Sequence, residues 1–283
     1  MFLSKYWAKI CRRMPDKIYL QWQFHHIYGR WLNFEHPATY ADKLAWLKLN
    51  KKNPLLTKLV DKYEVRSFVE ERIGSEYLIP LLGVYNSTAE IPWNSLPEKY
   101  VLKCTHDSAS VILHTSEERF DKDAAIKSLN KHLGRNMYYY AREYAYKDVP
   151  PRIVCEAFLD DDGKAPSDYK ILCFGGEPKY IILDMDRFGD HHRDCYDTNW
   201  VKQDLTTDHE QGAGVAPKPE GLDKMLELAG KLSKGFRHVR VDFYNVNGKI
   251  YFGEMTFFPW GGPIWFKPDE WNYKLGKLID INE

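Results

Sequence analysis

The stretch Val239-Arg-Val-Asp-Phe-Tyr-Asn-Val-Asn-Gly-Lys-Ile-Tyr-Phe-Gly-Glu-Met-Thr256 decides how the fold of this chain is interpreted. Two strand-forming runs on either side of an Asn-Gly pair predict two antiparallel strands joined by a tight turn. Because side chains alternate across a strand, Arg240 and Asp242 share one face, and Glu254 and Thr256 share another. The turn is expected to bring Asp242 and Glu254 close together.

Two carboxylates held side by side repel each other unless a cation lies between them. Mg²⁺ prefers hard oxygen ligands and shares its coordination shell with substrate phosphates. We therefore predict a Mg²⁺ site at Asp242 and Glu254, with Arg240 beside them to balance charge and hold a developing phosphate or oxyanion. The alternative is a solvated strand face on which Arg240 pairs with Asp242. The aromatic residues around the carboxylates favour partial burial, and hence the metal.

A second candidate site follows the short strand predicted at residues 100–104, in the polar loop 105–110. Lys103 is suited to meet a phosphate as a point charge, while loop N–H groups and the hydroxyls of Ser108 and Ser110 surround the phosphate oxygens. The alternative is a lysine that extends along an apolar surface to reach water. The chain contains neither GxxxxGK[ST] nor GxGxxG, so the P-loop and dinucleotide fingerprints are absent.

The segment 156–187 holds further polar candidates among apolar residues. Glu156 is placed to accept a hydrogen bond from an amino group such as that of adenine. Asp168 and Lys170 share one strand face, where Asp168 suits ribose hydroxyls and Lys170 suits a phosphate. Arg187 follows the predicted hairpin and is a candidate to hold an acidic substrate. Surface ion pairing is the alternative for each of these residues.

The secondary-structure pattern changes along the chain. Residues 1–90 are predicted to be mostly helical, with Thr39 capping a helix over 40–49 and a second helix that ends near Gly74. Short strands, turns and helices follow, and an apolar stripe predicts a helix over 222–232. The polar residues 186–220 are predicted to form a long, irregular active-site loop.

Composition restricts the classes of function. The chain has 283 residues, enough for one large domain or two tightly joined domains. Lys+Arg and Asp+Glu both number 40, and a balanced charge argues against a nucleic-acid partner. The five cysteines include no CxxC pair, which argues against a disulfide framework and favours the reducing cytoplasm.

The first 14 residues mix apolar and basic side chains. They predict either a weakly amphipathic helix on a membrane surface or a first helix that packs on the domain. The segment lacks the apolar core and cleavage site of a signal peptide, and no apolar run is long enough to cross a bilayer. We expect a cytoplasmic protein, with a peripheral contact to the inner face of the membrane under the first interpretation.

Five short blocks, taken in order, resemble the ATP-grasp superfamily, and more closely the branch named for the teichuronopeptide biosynthesis protein TupA. The resemblance covers roughly residues 30–265, and its specificity comes from the order of the blocks. The blocks are Asp61-Lys-Tyr-Glu-Val-Arg66 with Gly74 and Ile79-Pro80, Val101-Leu-Lys103 with Ser108-Ala-Ser110, Glu156 to Leu159 with Asp168-Tyr-Lys170 and Cys173-Phe174, Arg240-Val-Asp-Phe-Tyr244, and Gly253-Glu-Met-Thr-Phe257.

The resemblance implies an α+β ATP-grasp fold, in which two α+β subdomains grip ATP. The expected divisions are a helical N-terminal region (1–90), a phosphate-loop subdomain (91–155) and a metal-binding subdomain (156–283). The implied ligand groups are ATP phosphates at Arg66 and Lys103, adenine at Glu156, ribose at Asp168, and Mg²⁺ at Asp242 and Glu254. Thr256 stands where broader ATP-grasp enzymes place an asparagine metal ligand.

One block departs from the family pattern. The loop after Lys103 is usually rich in glycine, whereas here it reads His106-Asp-Ser-Ala-Ser110. Asp107 adds a negative charge near the expected path of the phosphate, and Ala109 lacks the conformational freedom of glycine.

The resemblance implies ligase chemistry, in which ATP phosphorylates a carboxylate and an amine attacks the acyl phosphate. The expected partners are ATP, an acidic glycan or glycan precursor of the cell envelope or capsule, and an amino acid or amine. Arg187 and Arg240 are the candidates to hold the acidic substrate. Two alternatives stay open: a glycosyltransferase that uses a nucleotide sugar, for which Asp184-Met-Asp186 is a DxD triplet, and a non-catalytic nucleotide-binding subunit.

Overall fold

The computed structural model describes residues 11–115, 120–161, 166–185, 191–246, 248–262 and 264–282. It is an α+β structure with two antiparallel sheets, which confirms the expected class. The helices are α1 (Asp16–Tyr28), α2 (Tyr40–Asn50), α3 (Leu55–Val60), α4 (Val65–Ile73), α5 (Lys122–Leu133), α6 (Tyr138–Ala141), α7 (Leu222–Ser233) and α8 (Glu270–Lys277). The strands are β1 (Leu81–Tyr85), β2 (Tyr100–Cys104), β3 (Ile112–His114), β4 (Ile153–Ala157), β5 (Asp168–Phe174), β6 (Glu177–Met185), β7 (His192–Asp197), β8 (Lys202–Gln203), β9 (His238–Val246) and β10 (Lys249–Thr256).

The first of the two predicted N-terminal helices is present, whereas the second is divided in two. Thr39 and Asp42 form the capping box of α2, in which each side chain accepts from the backbone N–H of the other. The single helix expected to end near Gly74 is instead two helices, α3 and α4. The break lies at Asp61, whose carboxylate accepts from the N–H groups of Tyr63 and Glu64 and so competes with helix continuation.

The smaller sheet has the strand order β1-β4-β2-β3. Its core is a small apolar cluster in which Leu102, Ile153 and Cys155 of the strands meet Leu129 of α5. Strand β1 lies at the end of the mostly helical region 1–90, in a stretch (77–85) expected to enter a strand, and β4 lies across the expected boundary at residue 155. The domain boundaries proposed from the sequence remain a prediction.

The larger sheet has the order β10-β9-β5-β6-β7-β8. Its β7 and β8 correct the expectation of an irregular loop over 186–220. Strand β7 was not predicted because its sequence is polar. In the structure its charged side chains are buried in ion pairs with residues from other strands. Arg193 bonds to Asp184, and Asp194 lies 2.9 Å from Lys202.

The two faces of the larger sheet differ in character. On one face, α7 buries its apolar stripe against β5, β6 and β9 around Ile171, Ile181 and Val241, as the sequence predicted for this helix. The other face carries charged side chains. Within the described ranges, none of the helices combines the length and apolarity that a bilayer crossing demands. The membrane-surface interpretation of residues 1–14 falls largely on residues outside those ranges.

Candidate functional site

A β-bulge brings the predicted carboxylate pair together on the charged face. Asp242 lies directly opposite Glu254, while Phe243 lies opposite Phe252 on the apolar side. The extra residue is Gly253, where an added Cβ would lie 3.2 Å from the carbonyl oxygen of Asp242. Glycine permits this close approach, and the bulge turns Glu254 away from the core and toward Asp242.

Arg240 binds both carboxylates. Its Nε and Nη2 each donate to Asp242 over 2.7 Å, and Nη2 also donates to Glu254 over 2.8 Å. Thr256 completes the group, because its hydroxyl donates to Glu254 over 3.2 Å. The pairing of Arg240 with Asp242 is present, but Asp242 itself is buried, at only 2% exposed.

The two carboxylates differ in electrostatic environment. Burial raises the pKa of Asp242, because it outweighs the opposing charges of Arg240 and Lys170. Burial also acts to raise the pKa of Glu254, but Arg240, Lys62 and Lys170 lower it to about 2. The side chain of Glu254 remains 37% exposed, so it is open to a ligand and ionised at neutral pH.

The charged face continues across the sheet from Asp242. The ammonium of Lys170 donates to Asp168 and to Asp242, the latter over 3.1 Å, and lies 3.5 Å from Asp184. Burial acts to lower the pKa of Lys170, but Asp168 and Asp242 raise it above its ordinary value. Asp184 in turn accepts from Arg193 over 2.5 Å. We call this series the carboxylate row; its members are Glu254, Arg240, Asp242, Lys170, Asp168, Asp184 and Arg193.

A separate set of charges lies at the smaller sheet, with Lys103 on β2, Glu156 on β4 and Arg66 on helix α4. Glu156 accepts from Lys103 over 3.0 Å and from Arg66 over 3.3 Å, and Arg66 also donates to the carbonyl of Ile79. The sequence assigned Lys103 and Arg66 to phosphates and Glu156 to adenine, whereas the structure brings all three side chains together. We call these three residues the cationic cluster, because two cations share one carboxylate.

The polar loop after β2 turns its acidic residue inward. The carboxylate of Asp107 is fully buried, bonds to His132 of α5 and lies 3.8 Å from Arg135, so its charge is not exposed. Ser108 is exposed at the tip, whereas Ser110 is buried and its hydroxyl accepts from the N–H of Cys104. Ser108 is therefore the more accessible of the two predicted phosphate-binding hydroxyls.

Ala109 lies beside Ser108 with a φ of 62°, in the left-handed region that favours glycine. A residue without glycine's freedom thus adopts the conformation that a glycine-rich loop would supply. The departure noted in the sequence is thus a local cost in backbone conformation.

The two sets of charges lie within electrostatic reach of each other. Leu78, just before β1, bridges to Phe252 of β10 and joins the two sheets at this point. Burial acts to lower the pKa of Lys103, but Glu156 on its own sheet and Tyr244 and Glu254 on the other raise it above its ordinary value. The lysine of one sheet is thus within electrostatic reach of a carboxylate of the other.

Three residues near the site were not predicted from the sequence, and one predicted residue cannot be compared with the structure. Arg187 falls outside the described residues. Arg193 and Lys62 were not among the candidates, although Lys62 belongs to the Asp61-Lys62 block and donates to the carbonyl of Asp107 over 2.6 Å. Glu143 was also missed, since no pattern marks it. Burial raises its pKa, and the charges of Lys48, Glu254 and Arg240 also act on it.

The donor chemistry fits a magnesium ion that shares its ligands with a nucleotide. Among the described residues, no cluster of three or more His, Cys, Asp or Glu side chains is arranged to hold a metal unaided. Mg²⁺ needs only one or two carboxylates when phosphates and waters supply the rest. Asp242 and Glu254 provide such a pair.

The sequence comparison settles the class of protein that this fold and site define. The TupA-like ATP-grasp family matches residues 42–280, so the chain belongs to that family and has the ATP-grasp fold. No curated protein matches the chain.

Solved structures with similar folds include three ligases or synthetases. An L-amino acid ligase from Bacillus licheniformis matches at TM-score 0.48 and 13% identity, over 92% of this chain and 56% of its own. An ADP complex of N5-carboxyaminoimidazole ribonucleotide synthetase matches at 0.47 and 13%, over 76% and 50%. A D-alanine–D-alanine ligase from Bacillus anthracis, complexed with ATP, matches at 0.42 and 14%, over 72% and 57%. The present chain spans little more than half the length of these proteins.

Proposed function

We propose that this protein is an ATP- and Mg²⁺-dependent carboxylate–amine ligase. It joins an amino acid or amine to a uronic acid of a cell-envelope or capsular polysaccharide, or of its precursor, through an acyl phosphate. The acidic glycan is supported by the family's link to teichuronopeptide biosynthesis. The nucleotide chemistry is supported by the charges of the two sheets.

The observation that carries the proposal is the opposite charge balance of the two sheets. The cationic cluster holds two cations and one carboxylate, so it has a surplus positive charge. The carboxylate row holds four carboxylates and three cations, so it has a surplus negative charge. A nucleotide phosphate chain with its Mg²⁺ complements both sides, because phosphate meets the positive sheet and metal meets the negative one.

Each residue then has a definite role in binding. Lys103 and Arg66 hold the phosphates, with the exposed Ser108 and the loop N–H groups around them. Asp242 and Glu254, with Thr256 beside them, hold Mg²⁺, which neutralises phosphate charge when it is bound. Phosphate and metal compete with the ion pairs of the present structure. Nucleotide binding therefore replaces the Lys103–Glu156 contact by a contact to phosphate, and the Arg240–Glu254 contact by a contact to the metal.

The remaining predicted residues are assigned to the other parts of the nucleotide and to the acidic substrate. Asp168 and Lys170 lie in the row beside Asp242 and are assigned to the ribose and a phosphate, while Glu156 is assigned to the adenine side. Arg240 holds the acidic substrate as charge develops on the acyl phosphate, because its guanidinium already bridges two carboxylates at the metal position. Arg187 keeps the same assignment as a prediction from the sequence.

The direct test supplies both substrates and follows the products. The protein is incubated with ATP, Mg²⁺, glucuronic or galacturonic acid and a panel of L-amino acids, and release of ADP and phosphate is measured. The proposal expects release that depends on both the acid and the amine. Release of UDP from a sugar nucleotide without any need for ATP would support a glycosyltransferase instead. Binding of ATP without turnover of any of these substrates would favour the non-catalytic subunit.

No described residue favours the glycosyltransferase alternative. Asp184, the first member of the DxD triplet, is 2% exposed and already bonds to Arg193 and His191, with Lys170 3.5 Å away. Unlike the pair of Asp242 and Glu254, which includes a partly exposed carboxylate, Asp184 is buried among three basic side chains and is poorly placed to bind a metal. Asp186, the other carboxylate of the triplet, lies outside the described residues.

A further inference from the structure

Two cavities follow one another along helix α2. One, of about 440 Å³, is lined by Lys43 and Trp46 of the helix, and the other, of about 320 Å³, by Trp46, Leu49 and Asn50. Both cavities have the size of a small-molecule site. Because Trp46 lines both, they form one continuous groove, which we call the α2 groove. At about 1.5 Å per residue, the helix from Lys43 to Asn50 gives the groove a length of about 10 Å.

The opposite wall of the α2 groove comes from the segment that precedes the helix. Phe34 lines the cavity toward the C-terminal end of α2, whereas residues 35–37 line the cavity toward its N-terminal end. The segment therefore runs antiparallel to the helix along the groove. Lys17 of α1 lines the first of these ends, and residues 281–282 line the other.

The α2 groove lies on the side of the helix that faces away from the loop after β10. Lys48 of the same helix is buried, and its ammonium donates to the carbonyls of Ala141 and Gly261, the latter in that loop. Helix residues two apart point in nearly opposite directions, because each residue turns the helix by about 100°. Trp46 therefore faces away from Lys48, and the groove is separate from the carboxylate row and the cationic cluster.

Trp46 and Phe34 offer aromatic surfaces inside the α2 groove. The ring of Trp46 is half-buried, and its indole N–H has no hydrogen-bond acceptor among the described residues. The ring of Phe34 lines the same cavity, with the ammonium of Lys17 5.5 Å from its centre. A half-buried indole combines an apolar face with a polar edge. Such a side chain suits a sugar ring, whose C–H face packs on the indole while a hydroxyl accepts from the N–H.

The polar side chains around these rings are available to sugar hydroxyls. The carboxylate of Glu35, the imidazole of His36 and the side-chain amide of Asn282 bond to no other described residue. Asn50 uses its amide nitrogen to reach the carbonyl of Trp46 and keeps its amide oxygen free. Donors and acceptors are thus both present, as the hydroxyls of a sugar require.

The charge of the α2 groove favours an acidic glycan. Lys17 and Lys43 stand against Glu35 alone, which leaves one positive charge. Lys17 has no carboxylate partner in the described part of the chain. Lys43 gives one of its three donors to the carbonyl of Ile279 over 2.7 Å, so two remain. Two successive cavities also suit a chain of rings better than a single nucleotide base, which would occupy only one of them.

We propose that the α2 groove binds an acidic polysaccharide, with sugar rings on Trp46 and Phe34 and their carboxylates at Lys17 and Lys43. The inference rests on the proposed function and extends it, because it makes the substrate a polymer. The sugar to be amidated occupies the candidate site, while other units of the same chain occupy the groove. Holding the chain at the groove raises the local concentration of its acidic sugars at the candidate site.

Binding is measured without ATP and Mg²⁺, so that the result does not depend on ligase activity. The whole chain is titrated by calorimetry with galacturonic acid, hexagalacturonate, a hyaluronan hexasaccharide and the neutral maltohexaose. The groove variants are Trp46→Ala and Lys17→Glu. The matched controls are Trp31→Ala, at a tryptophan that is 64% exposed and stacks on His25, and Lys58→Glu, at an exposed lysine of α3.

We expect at least one acidic hexasaccharide to bind wild type about tenfold or more tightly than maltohexaose or galacturonic acid does. Trp46→Ala is expected to weaken this binding by about tenfold or more. Lys17→Glu is expected to weaken it by about fivefold, and by more at low salt, where charges are screened less. Both controls are expected to match wild type. In turnover with ATP, Mg²⁺ and an amino acid, Trp46→Ala should raise the KM for the acidic polymer more than it lowers kcat.

Other outcomes contradict the inference separately from the proposed function. Failure of both acidic hexasaccharides to bind wild type, or equally tight binding of maltohexaose, would overturn the groove, and so would an unchanged affinity in Trp46→Ala. If Trp46→Ala does not fold, an unchanged affinity in Lys17→Glu would overturn it. Amidation of monomeric uronic acids without hexasaccharide binding would remove the groove and keep the ligase. Hexasaccharide binding that depends on Trp46, without any ATP-dependent amidation, would keep the groove and remove the ligase.

Discussion

The two sheets of this protein hold their charges under different conditions. In the carboxylate row of the larger sheet, Asp168, Asp184 and Asp242 are each 2% exposed, and most have two or more charged neighbours. In the cationic cluster of the smaller sheet, the side chains of Lys103 and Arg66 remain 16% and 17% exposed and share a single carboxylate. The three aspartates of the larger sheet are thus held in buried ion pairs, whereas the smaller sheet offers cations that can exchange their partner for phosphate.

The strongest test of this difference removes one carboxylate from each sheet. Asp184→Asn leaves Arg193 and Lys170 underpaired in the interior and is expected to lower the free energy of unfolding by about 3–5 kcal/mol. Glu156→Gln leaves Lys103 and Arg66, which reach solvent, so the loss in the free energy of unfolding is expected to be below about 2 kcal/mol. Urea denaturation measures both. The exposed Asp223→Asn on α7 is the control, and equal losses at Asp184 and Glu156 would erase the distinction.

A second test uses pH, because the larger sheet also buries His238. Its Nε2 accepts from the hydroxyl of Tyr40, and Nδ1 donates to the carbonyl of Cys173, both over 2.8 Å. Burial lowers the pKa of His238 from 6.5 to about 4, so the unfolded chain binds a proton more readily than the folded one. Stability is therefore complete above pH 6.5 and is lost as the pH falls toward 4, by up to about 3 kcal/mol.

Denaturation curves between pH 7 and 4 measure this loss. His238→Gln removes the titrating group and is expected to flatten the pH dependence over this interval relative to wild type. An identical slope in the two proteins would mean that other groups govern acid stability.

The third test concerns the exchangeable cations of the smaller sheet. Lys103→Met keeps the length of the side chain but removes its charge, and is expected to weaken ATP binding by about 10- to 100-fold. Lys99→Met is the matched control. Lys99 lies just before β2, is exposed and pairs with Asp160. Calorimetric titration gives both affinities, and an unchanged affinity in Lys103→Met would remove Lys103 from the phosphate site.

The smallest expected effect lies at the tip of the loop on the smaller sheet. Ala109→Gly relieves a left-handed backbone conformation and is expected to stabilise the protein by up to about 1 kcal/mol, less the added flexibility of the unfolded chain. Ala124→Gly, at an exposed position in α5, should destabilise it by about the same amount. Thermal unfolding compares the two variants, and a loss of stability in Ala109→Gly would contradict the strained geometry.

The sequence predicted the parts of the fold that depend on local pattern. The capping box at Thr39, the two hairpins and the apolar stripe of α7 all follow from short-range spacing and are present. The division between α3 and α4 and the existence of β7 were missed. Both depend on polar side chains: a local cap at Asp61 in one case, and ion pairs to distant strands in the other.

The sequence indicated many of the residues that the candidate site brings together, but not how they are arranged. Regular alternation would place Phe252 and Glu254 on one face, and only the bulge at Gly253 separates them. The inward turn of Asp107 depends on His132, which lies 25 residues further along the chain. Glu143 carries no sequence signal, because the charges of Lys48, Glu254 and Arg240 reach it only in the folded chain.

The most direct test of the proposed nucleotide–metal site measures the affinity for a non-hydrolysable ATP analogue with and without Mg²⁺. Glu254→Gln is the variant of choice, because Glu254 is partly exposed and Asp242 keeps its bonds to Arg240. We predict that Mg²⁺ tightens binding to wild type by at least about tenfold and that Glu254→Gln loses most of this gain while binding without metal is kept. The same Mg²⁺-dependent gain in both proteins would contradict the account.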